Sequence, residues 1–137
     1  MSVHIRAVEY YTTTVPGSPD AAYGLLSGLA GEGVNLLAFN AIPGGLEATQ
    51  LVLFPEDGAR LAAAAQRLRM TISGPTEALL IQGDDELGAL AKVHRQLDEA
   101  DVHPYASAGL VDAHGGFAYL VYLKRDEYAA AKHALGL

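Results

Sequence analysis

The chain has 137 residues, 50% of them apolar, and a formal net charge of −7 at pH 7. This size suits one ordinary domain or two very small ones, and the acidic balance without a lysine–arginine cluster argues against a nucleic-acid partner. Because cysteine is absent, disulfides, thiolate chemistry and cysteine-ligated zinc are excluded. No apolar run approaches the roughly 20 residues of a membrane-spanning helix. The first residues also have no signal-peptide core, so we expect a soluble, cytoplasmic protein.

The first half of the chain predicts five elements. Alternating apolar and polar residues from Val3 to Tyr11 predict a strand, and leucines at helical spacing between Ala22 and Leu29 predict a helix. Residues 34–42 and 48–54 are typical of two strands of an antiparallel hairpin, since a Pro-Gly-Gly turn joins them. The alanine-rich run 58–68 predicts a second helix. The predicted order is therefore βαββα.

The turn that joins the first strand to the first helix has a marked composition. Ser18 suits the N-cap, Pro19 the first helical position and Asp20 the first turn of the helix. Gly17 can adopt a positive φ and leave backbone N–H groups exposed. Such a turn either holds a small anion, for instance a carboxylate, or is an ordinary strand-to-helix connection.

The second half of the chain aligns with the first when it is shifted by 68 residues without a gap. The shift pairs Leu29 with Leu97 and Val34 with Val102, and it places predicted strands on strands and helices on helices. We interpret this pattern as an internal duplication. The expected boundary is Gly74–Thr76.

Each half, completed by a fourth strand, is expected to be a ferredoxin-like βαββαβ unit, an α+β fold with an antiparallel sheet and its helices on one face. The two units are residues 1–74 and 75–137. The chain ends too early for a fourth strand in the second unit, so either that strand is missing or the N-terminal segment, from Val3, takes its place. Because each half has a small core, we expect a homodimer.

Three stretches resemble the ACT domain family: the turn Val15–Pro19, the helix end Leu29–Leu36, and the hairpin from Asn40 to Leu53. In the family a strand ends in a Pro-Gly turn, and a Gly-x-Asn-Ile motif opens the next strand; Gly33–Leu36 fits that motif here. The resemblance covers nearly the whole chain as two tandem copies. It implies a stand-alone regulatory protein that binds an amino acid or similar metabolite at an interface between modules. It does not imply an enzyme, a metal or a cofactor.

The resemblance also implies where the ligand lies, near the strand-to-helix turn and the start of the second strand. The implied ligand-binding residues are Val15, Pro16, Gly17, Ser18, Val34, Asn35 and Leu36. The turn's N–H groups suit a carboxylate, and Asn35 or a nearby carbonyl suits an ammonium group.

The second copy departs from the family pattern at both places. Gly83–Glu86 replaces the Pro-Gly turn, and Asp101–Pro104 replaces Gly-x-Asn-Ile. Carboxylates at this turn oppose a bound carboxylate by about 1 kcal/mol or more each, so we predict that the first turn binds the ligand and the acidic turn does not. The acidic residues are interpreted as helix caps and dipole partners, with a metal site as the alternative.

The remaining candidate functional residues are histidines and tyrosines at scattered positions in the sequence. Five histidines are present, and none forms a metal-ligand pair on one helix face; they are His4, His94, His103, His114 and His133. The shift aligns His94 with Leu26, so we expect it on a buried face as a packed, hydrogen-bonded or interface residue, with a ligand or catalytic role as the alternative. Tyr10 and Tyr11 are either exposed strand residues or ligand contacts.

Three functions remain open from the sequence. The first is the regulatory protein described above, whose output passes through a partner or through its own assembly. The second is a small enzyme on a ferredoxin-like scaffold, with His94 or His103 as general base. The third is a purely structural subunit.

Overall fold

The computed structural model describes residues 3–17, 22–45 and 47–137. It has mixed α/β architecture with antiparallel strand pairs. The elements are β1 (Val3–Pro16), α1 (Ala22–Gly31), β2 (Leu36–Pro43), β3 (Ala48–Pro55), α2 (Gly58–Arg67), β4 (Ser73–Asp84), α3 (Ala89–Glu99), β5 (Ala106–Val111), β6 (Gly116–Tyr122) and α4 (Tyr128–Ala134). No helix within these described ranges is long and apolar enough to cross a membrane.

One strand is longer than the sequence pattern predicts, and another runs through the expected boundary between the halves. β1 continues past Tyr11 to Pro16, because residues 12–16 pair with β3 and the three threonines among them favour extended backbone. β4 begins at Ser73, so the expected boundary Gly74–Thr76 lies inside a strand; the two compact units also divide within this strand, between Thr76 and Glu77. Gly74 has φ +137°, and an added Cβ there would lie 2.8 Å from the Tyr10 carbonyl oxygen. Only glycine satisfies both conditions.

The chain folds as two compact units, of which one is Glu9–Thr76. Its strand order is β2-β3-β1-β4. Its core combines residues of both helices with alternate residues of β3; the fully buried members include Leu29, Leu51, Leu53, Leu61 and Ala64. An ion pair between Arg67 and Glu32 (2.5 Å) joins the ends of α1 and α2, and the Thr13 hydroxyl donates to the Thr71 carbonyl (2.7 Å).

The other unit contains the residues up to Val8 together with Glu77–Leu137. Its strand order is β1-β4-β6-β5. Its core contains Leu79, Val93, Leu97 and Val121, and Ile5 of β1 packs against it. The N-terminal segment therefore belongs to this unit, which is the second of the two alternatives considered for its missing strand.

The ends of α1 and α3 are built alike at a spacing of 68 residues. The Val34 N–H donates to the Leu29 carbonyl (3.0 Å), and the Val102 N–H donates to the Leu97 carbonyl (2.9 Å). The residue before each valine has a positive φ, +78° at Gly33 and +57° at Asp101. A left-handed residue that ends a helix in this way is a common C-terminal motif. The same backbone geometry thus recurs at the spacing that aligns the two sequence halves.

Candidate functional site

The turn after β1 is held to the β2–β3 hairpin by two hydrogen bonds. Gly17 has the expected positive φ, +98°. Its N–H donates to the Glu47 carbonyl (2.6 Å), and its carbonyl accepts from the hydroxyl of Thr49 (2.8 Å), which is fully buried. The Gly17 N–H is therefore used within the protein. The expectation that it is exposed for a ligand is wrong. Ser18, Pro19 and Asp20 lie outside the described residues.

The start of β2 presents the second group of predicted residues. Val34 is buried, Leu36 packs against the core of its unit, and Asn35 is exposed. The Asn35 side-chain amide donates to the Glu56 carboxylate (2.5 Å), and the Asn35 carbonyl accepts from the Glu56 N–H (2.9 Å). Glu56 thus fixes Asn35 through both its backbone and its side chain, and places a carboxylate beside it.

The strand register separates these two groups within one unit. Pro16 at the end of β1 pairs with Ala48, whereas Leu36 at the start of β2 pairs with Pro55. Ala48 and Pro55 are the two ends of β3, seven residues apart, which corresponds to about 23 Å of strand. The structure therefore places the turn Val15–Gly17 and the segment Val34–Leu36 at opposite ends of β3.

The acidic turn after β4, Gly83–Glu86, has a backbone hydrogen bond equivalent to one in the turn after β1. The Asp85 N–H donates to the Gly115 carbonyl (2.8 Å), which reproduces the Gly17–Glu47 hydrogen bond 68 residues further along the chain. The helix-cap interpretation of the acidic residues is wrong, because α3 has Gly88 as its N-cap, with φ +85° and no side-chain cap. Three carboxylates therefore stand near the start of α3 without capping it. No group of three or more possible metal ligands occurs among the described residues.

A groove of about 790 Å³ lies next to the acidic turn. Its walls are the start of α3, the end of β5 and Phe117, and most of its lining is apolar. Several of these apolar side chains are exposed, namely Leu87, Leu90, Leu110 and Val111. At the 68-residue shift, the groove residues 85–91 and 109–111 correspond in sequence to residues 17–23 and 41–43.

Neither a protein-family model nor a curated protein matches the sequence. Among solved structures, a Bacteroides thetaiotaomicron protein has a TM-score of 0.82 at 15% identity, with 96% of this chain and 88% of that chain covered. The ligand-free regulatory subunit of aspartate kinase from Thermus thermophilus has a TM-score of 0.65 at 13% identity, with 99% and 95% covered. Aspartokinase alpha and beta subunits have a TM-score of 0.60 at 15% identity, with 100% and 99% covered.

The chain has the fold of ACT-type regulatory domains. Sequence identities of 13–15% show a similarity of fold. The ACT-like fold expected from the sequence is therefore confirmed. The ACT-type fold also gives the two turns their shared place, each after the strand that precedes the first helix of a unit.

His94 occupies a different environment from the expected one. It is exposed, and its Nε2 forms a hydrogen bond with the hydroxyl of Tyr119, whose side chain is 4% exposed. The expected burial of His94 is wrong, because α3 turns Val93 and Leu97 towards the core. The hydrogen bond supplies a partner for the buried tyrosine hydroxyl, so His94 has a structural contact in the ACT-type fold.

His103 takes the place of Asn35 in the second half of the chain. Its Nε2 lies 2.9 Å from the Asp101 carboxylate, and its N–H donates to Glu127 (3.3 Å). The hydrogen bond to Asp101 raises the pKa of His103 above 6.5, and nearby carboxylates add to the effect. The His103 side chain is 64% exposed, so its contacts with Asp101 and Glu127 are made at the surface.

Tyr10 and Tyr11 are neither exposed strand residues nor neighbours of the turn. Both are buried in the middle of β1, because the strand continues five residues beyond Tyr11. Tyr10 stacks against Phe54 with ring centroids 5.2 Å apart. Burial, and then the charge of Glu9, raise the pKa of Tyr11. Both tyrosines are therefore core residues.

Two residues that shape the candidate site were missed from the sequence, Thr49 and Glu56. Thr49 holds Gly17 from 32 residues away, and Glu56 holds Asn35 from 21 residues away. No local motif identifies either partner. The one available signal was the hairpin prediction, which places residue 49 near the turn once β1 is paired with β3.

Proposed function

We propose that the protein is a regulatory module that binds an amino acid or similar small metabolite at a contact between two modules. Each module is a ferredoxin-like unit, the first within residues 1–74 and the second within residues 75–137, completed by the N-terminal segment up to Val8. We further propose that the chain acts as a cytoplasmic homodimer. The observation that carries the proposal is the separation of the two residue groups along β3. A site that uses both groups is complete only when a second module supplies one of them.

The strand arrangement is compatible with a site that a second module completes. β1 and β2 each pair antiparallel with β3, so the turn after β1 lies at the end where β2 finishes. β2 is at the end of the strand order. A second β2 that runs antiparallel beside it therefore brings its own first residues to this end. Val15, Pro16 and Gly17 of one module then face Val34, Asn35 and Leu36 of the other, and Ser18 is included in the proposed site as the residue that follows Gly17 in the sequence.

The chemistry of these groups suits a zwitterion. Backbone N–H groups beyond Gly17, at the start of α1, would take the carboxylate, and the helix dipole favours a negative charge there. The Glu56 carboxylate beside Asn35 would accept hydrogen bonds from the ammonium group. Aliphatic side chains of Val15 and Leu36 would contact the side chain of the metabolite.

A regulatory rather than catalytic role is supported by what the candidate residues do. Tyr10 and Tyr11 are core residues, His94 forms a hydrogen bond with Tyr119, and His103 pairs with Asp101 at the surface. The net charge of −7 opposes nucleic-acid binding. The response to the metabolite would then pass through a protein partner or through assembly.

A thermal-shift screen of amino acids and related metabolites tests the proposal. A metabolite present at 100 times its dissociation constant should add about 2.7 kcal/mol to the free energy of unfolding and raise the melting temperature by several degrees. A screen in which no amino acid or related metabolite stabilises the protein would contradict the proposed function.

Replacing Asn35 with alanine should weaken binding of the metabolite found in that screen. The substitution removes a polar side chain of the site and releases the Glu56 carboxylate, and the loss of one hydrogen bond to a charged group corresponds to about 10- to 100-fold in affinity. Titration calorimetry measures the change. His103→Ala, the equivalent position in the other half, is the matched control and should bind as the wild type does; equal losses in both variants would contradict the assignment.

A further inference from the structure

The groove beside the acidic turn lies where β5 has smaller residues than β2. Gly109 pairs with Tyr119, a core residue, so this position faces the core of its unit. At the 68-residue shift its counterpart is Ala41, and the counterpart of Ser107 is Phe39. Ala41 and Phe39 both pack against the core of the unit Glu9–Thr76. The smaller residues of β5 therefore leave space between this strand and α3.

The surface of the groove is apolar on both sides. A Cβ added at Gly109 would lie 3.4 Å from the Cδ1 atom of Leu90, so α3 closely approaches β5 there. Val111 pairs with Phe117, which places their side chains on the same face of the sheet, and both residues line the groove. Leu87 adds an apolar side chain from the turn before α3.

These lining residues are too exposed to enclose a small molecule. Val111 is 61% exposed, and Leu87 retains its whole surface. Pockets for small molecules bury about 70–90% of the ligand surface, which requires protein side chains around the ligand rather than along one side of it. An apolar groove with walls as exposed as these suits the side chains of a partner protein, as when an amphipathic helix binds through its apolar face.

The charged residues that line the groove are acidic. They are Asp85 and Glu86; Lys92, the first basic residue along α3, does not line it. Both carboxylates are exposed, and neither takes part in an ion pair with a described residue. Partly desolvated carboxylates gain from a lysine or arginine that a partner supplies. The groove therefore combines apolar walls with two carboxylates that have no basic partner in the described ranges.

Two further carboxylates lie at the same end of the sheet. Asp84 pairs with Gly116, and the Gly116 N–H donates to the Asp112 carboxylate (2.9 Å). Because like charges repel, this concentration of negative charge opposes a second copy that docks by the same acidic groove. It also opposes an anionic membrane surface or a nucleic acid. A positively charged partner is the one that the charges favour.

We propose that the groove binds an amphipathic, positively charged segment of a partner protein. The apolar side chains of the segment lie between α3 and β5, and its lysine or arginine side chains pair with Asp85 and Glu86. The inference rests on the proposed function in one respect, since it gives a surface to the protein partner through which the regulatory response would pass. The groove lies in the unit that does not contain Gly17 and Asn35, so partner and metabolite use different surfaces.

Two fluorescently labelled peptides test the charge preference. Each has about 14 residues, with leucines at the i, i+3, i+4 and i+7 spacing of one helix face. The other positions are lysine and alanine in the basic peptide, and glutamate and alanine in the acidic one. Fluorescence anisotropy at low salt should show micromolar binding of the basic peptide and binding of the acidic peptide that is weaker by about tenfold or more. Added salt should weaken binding of the basic peptide.

A double variant tests the apolar walls. Leu87→Gln with Val111→Gln replaces two exposed side chains of the groove and should weaken binding of the basic peptide by about tenfold or more. Leu37→Gln with Ile42→Gln makes the same change at two exposed positions of β2 and should bind the peptide as the wild type does. Circular dichroism and a cooperative thermal transition establish that both variants are folded.

A second double variant tests the carboxylates. Asp85→Asn with Glu86→Gln should weaken binding of the basic peptide by about fivefold at low salt and reduce its salt dependence. Asp98→Asn with Glu99→Gln removes the same number of charges at the other end of α3, and should leave the affinity within about twofold of the wild type. The two variants have the same net charge, so a difference between them reports the position of the carboxylates.

The proposal is overturned by a basic peptide that does not bind, by equal binding of the two peptides, or by groove variants that bind as their controls do. It is also overturned if Leu87→Gln with Val111→Gln changes the oligomeric state in light scattering, because a second copy would then cover the groove. Phenethylamine, a small apolar amine, tests the remaining occupant: if it binds as tightly as the basic peptide and competes with it, the groove is a small-molecule site.

The thermal-shift screen for metabolites is read separately. Binding of the basic peptide that depends on the groove residues supports this surface even if no metabolite stabilises the protein. Stabilisation by a metabolite without any binding of the peptide refutes only the groove, and leaves the proposed function as it stands.

Discussion

Valine in place of Gly17 is expected to abolish metabolite binding. Gly17 has φ +98°, a conformation in which a β-branched residue is strained by about 1–3 kcal/mol. Its hydrogen bonds to Glu47 and Thr49 hold the turn in that conformation. A valine there either distorts the turn or places two methyl groups against the N–H groups that would take the carboxylate. Titration calorimetry should show no measurable heat of binding.

Two further variants separate the causes of this effect. Gly17→Asn tolerates a positive φ better than valine, so it should fold with little loss of stability and still bind weakly because its side chain covers the turn. A double variant, Asp84→Asn with Asp85→Asn, neutralises the acidic turn and should leave the affinity nearly unchanged. If the double variant loses binding while Gly17→Val keeps it, the metabolite site belongs to the other unit.

Truncation of Leu29 or Leu97 to alanine should have the largest effect on stability. Each leucine is 1% exposed and lies in the core of its own unit. Removing such a side chain costs about 2–5 kcal/mol, through lost burial and the cavity left behind. Urea denaturation should report a similar loss for the two variants, since the leucines end equivalent helices with the same hydrogen bond to a following valine.

The control for these core variants is Tyr23→Ala. Tyr23 lies on the same helix as Leu29 but is 78% exposed, so its truncation should change the free energy of unfolding by about 0.5 kcal/mol or less. A loss below about 1 kcal/mol for either leucine would mean that its helix contributes little to the core.

Elements with a strong local pattern were predictable. The amphipathic run that contains Leu29 and the alanine-rich run 58–68 form helices close to their predicted limits. The extents of β1 and β4 were not predictable, because the residues that extend them are ordered by partners in other strands. Threonines 12–14 lie beyond the predicted end of the first strand at Tyr11, yet they pair with β3.

The candidate site was predictable only where it depends on local backbone chemistry. Positive φ at Gly17 followed from its residue type. The second strand, predicted over residues 34–42, begins at Leu36. The burial of Tyr10 and the exposure of His94 did not follow, since both depend on which neighbouring element covers the side chain. Aligning the two halves by 68 residues predicts which backbone segments correspond. It does not predict the burial of a side chain at a position where the two halves have different residue types.

The sequence by itself determined the helices, the glycine turn and the 68-residue correspondence between the halves, because these depend on residue type and spacing over short distances. The tertiary structure alone decided that the Gly17 N–H is used by Glu47, that Glu56 holds Asn35, and that β3 separates the two residue groups. Each of these outcomes depends on strand register, which joins residues far apart in the chain and is set by pairing and burial rather than by any local motif.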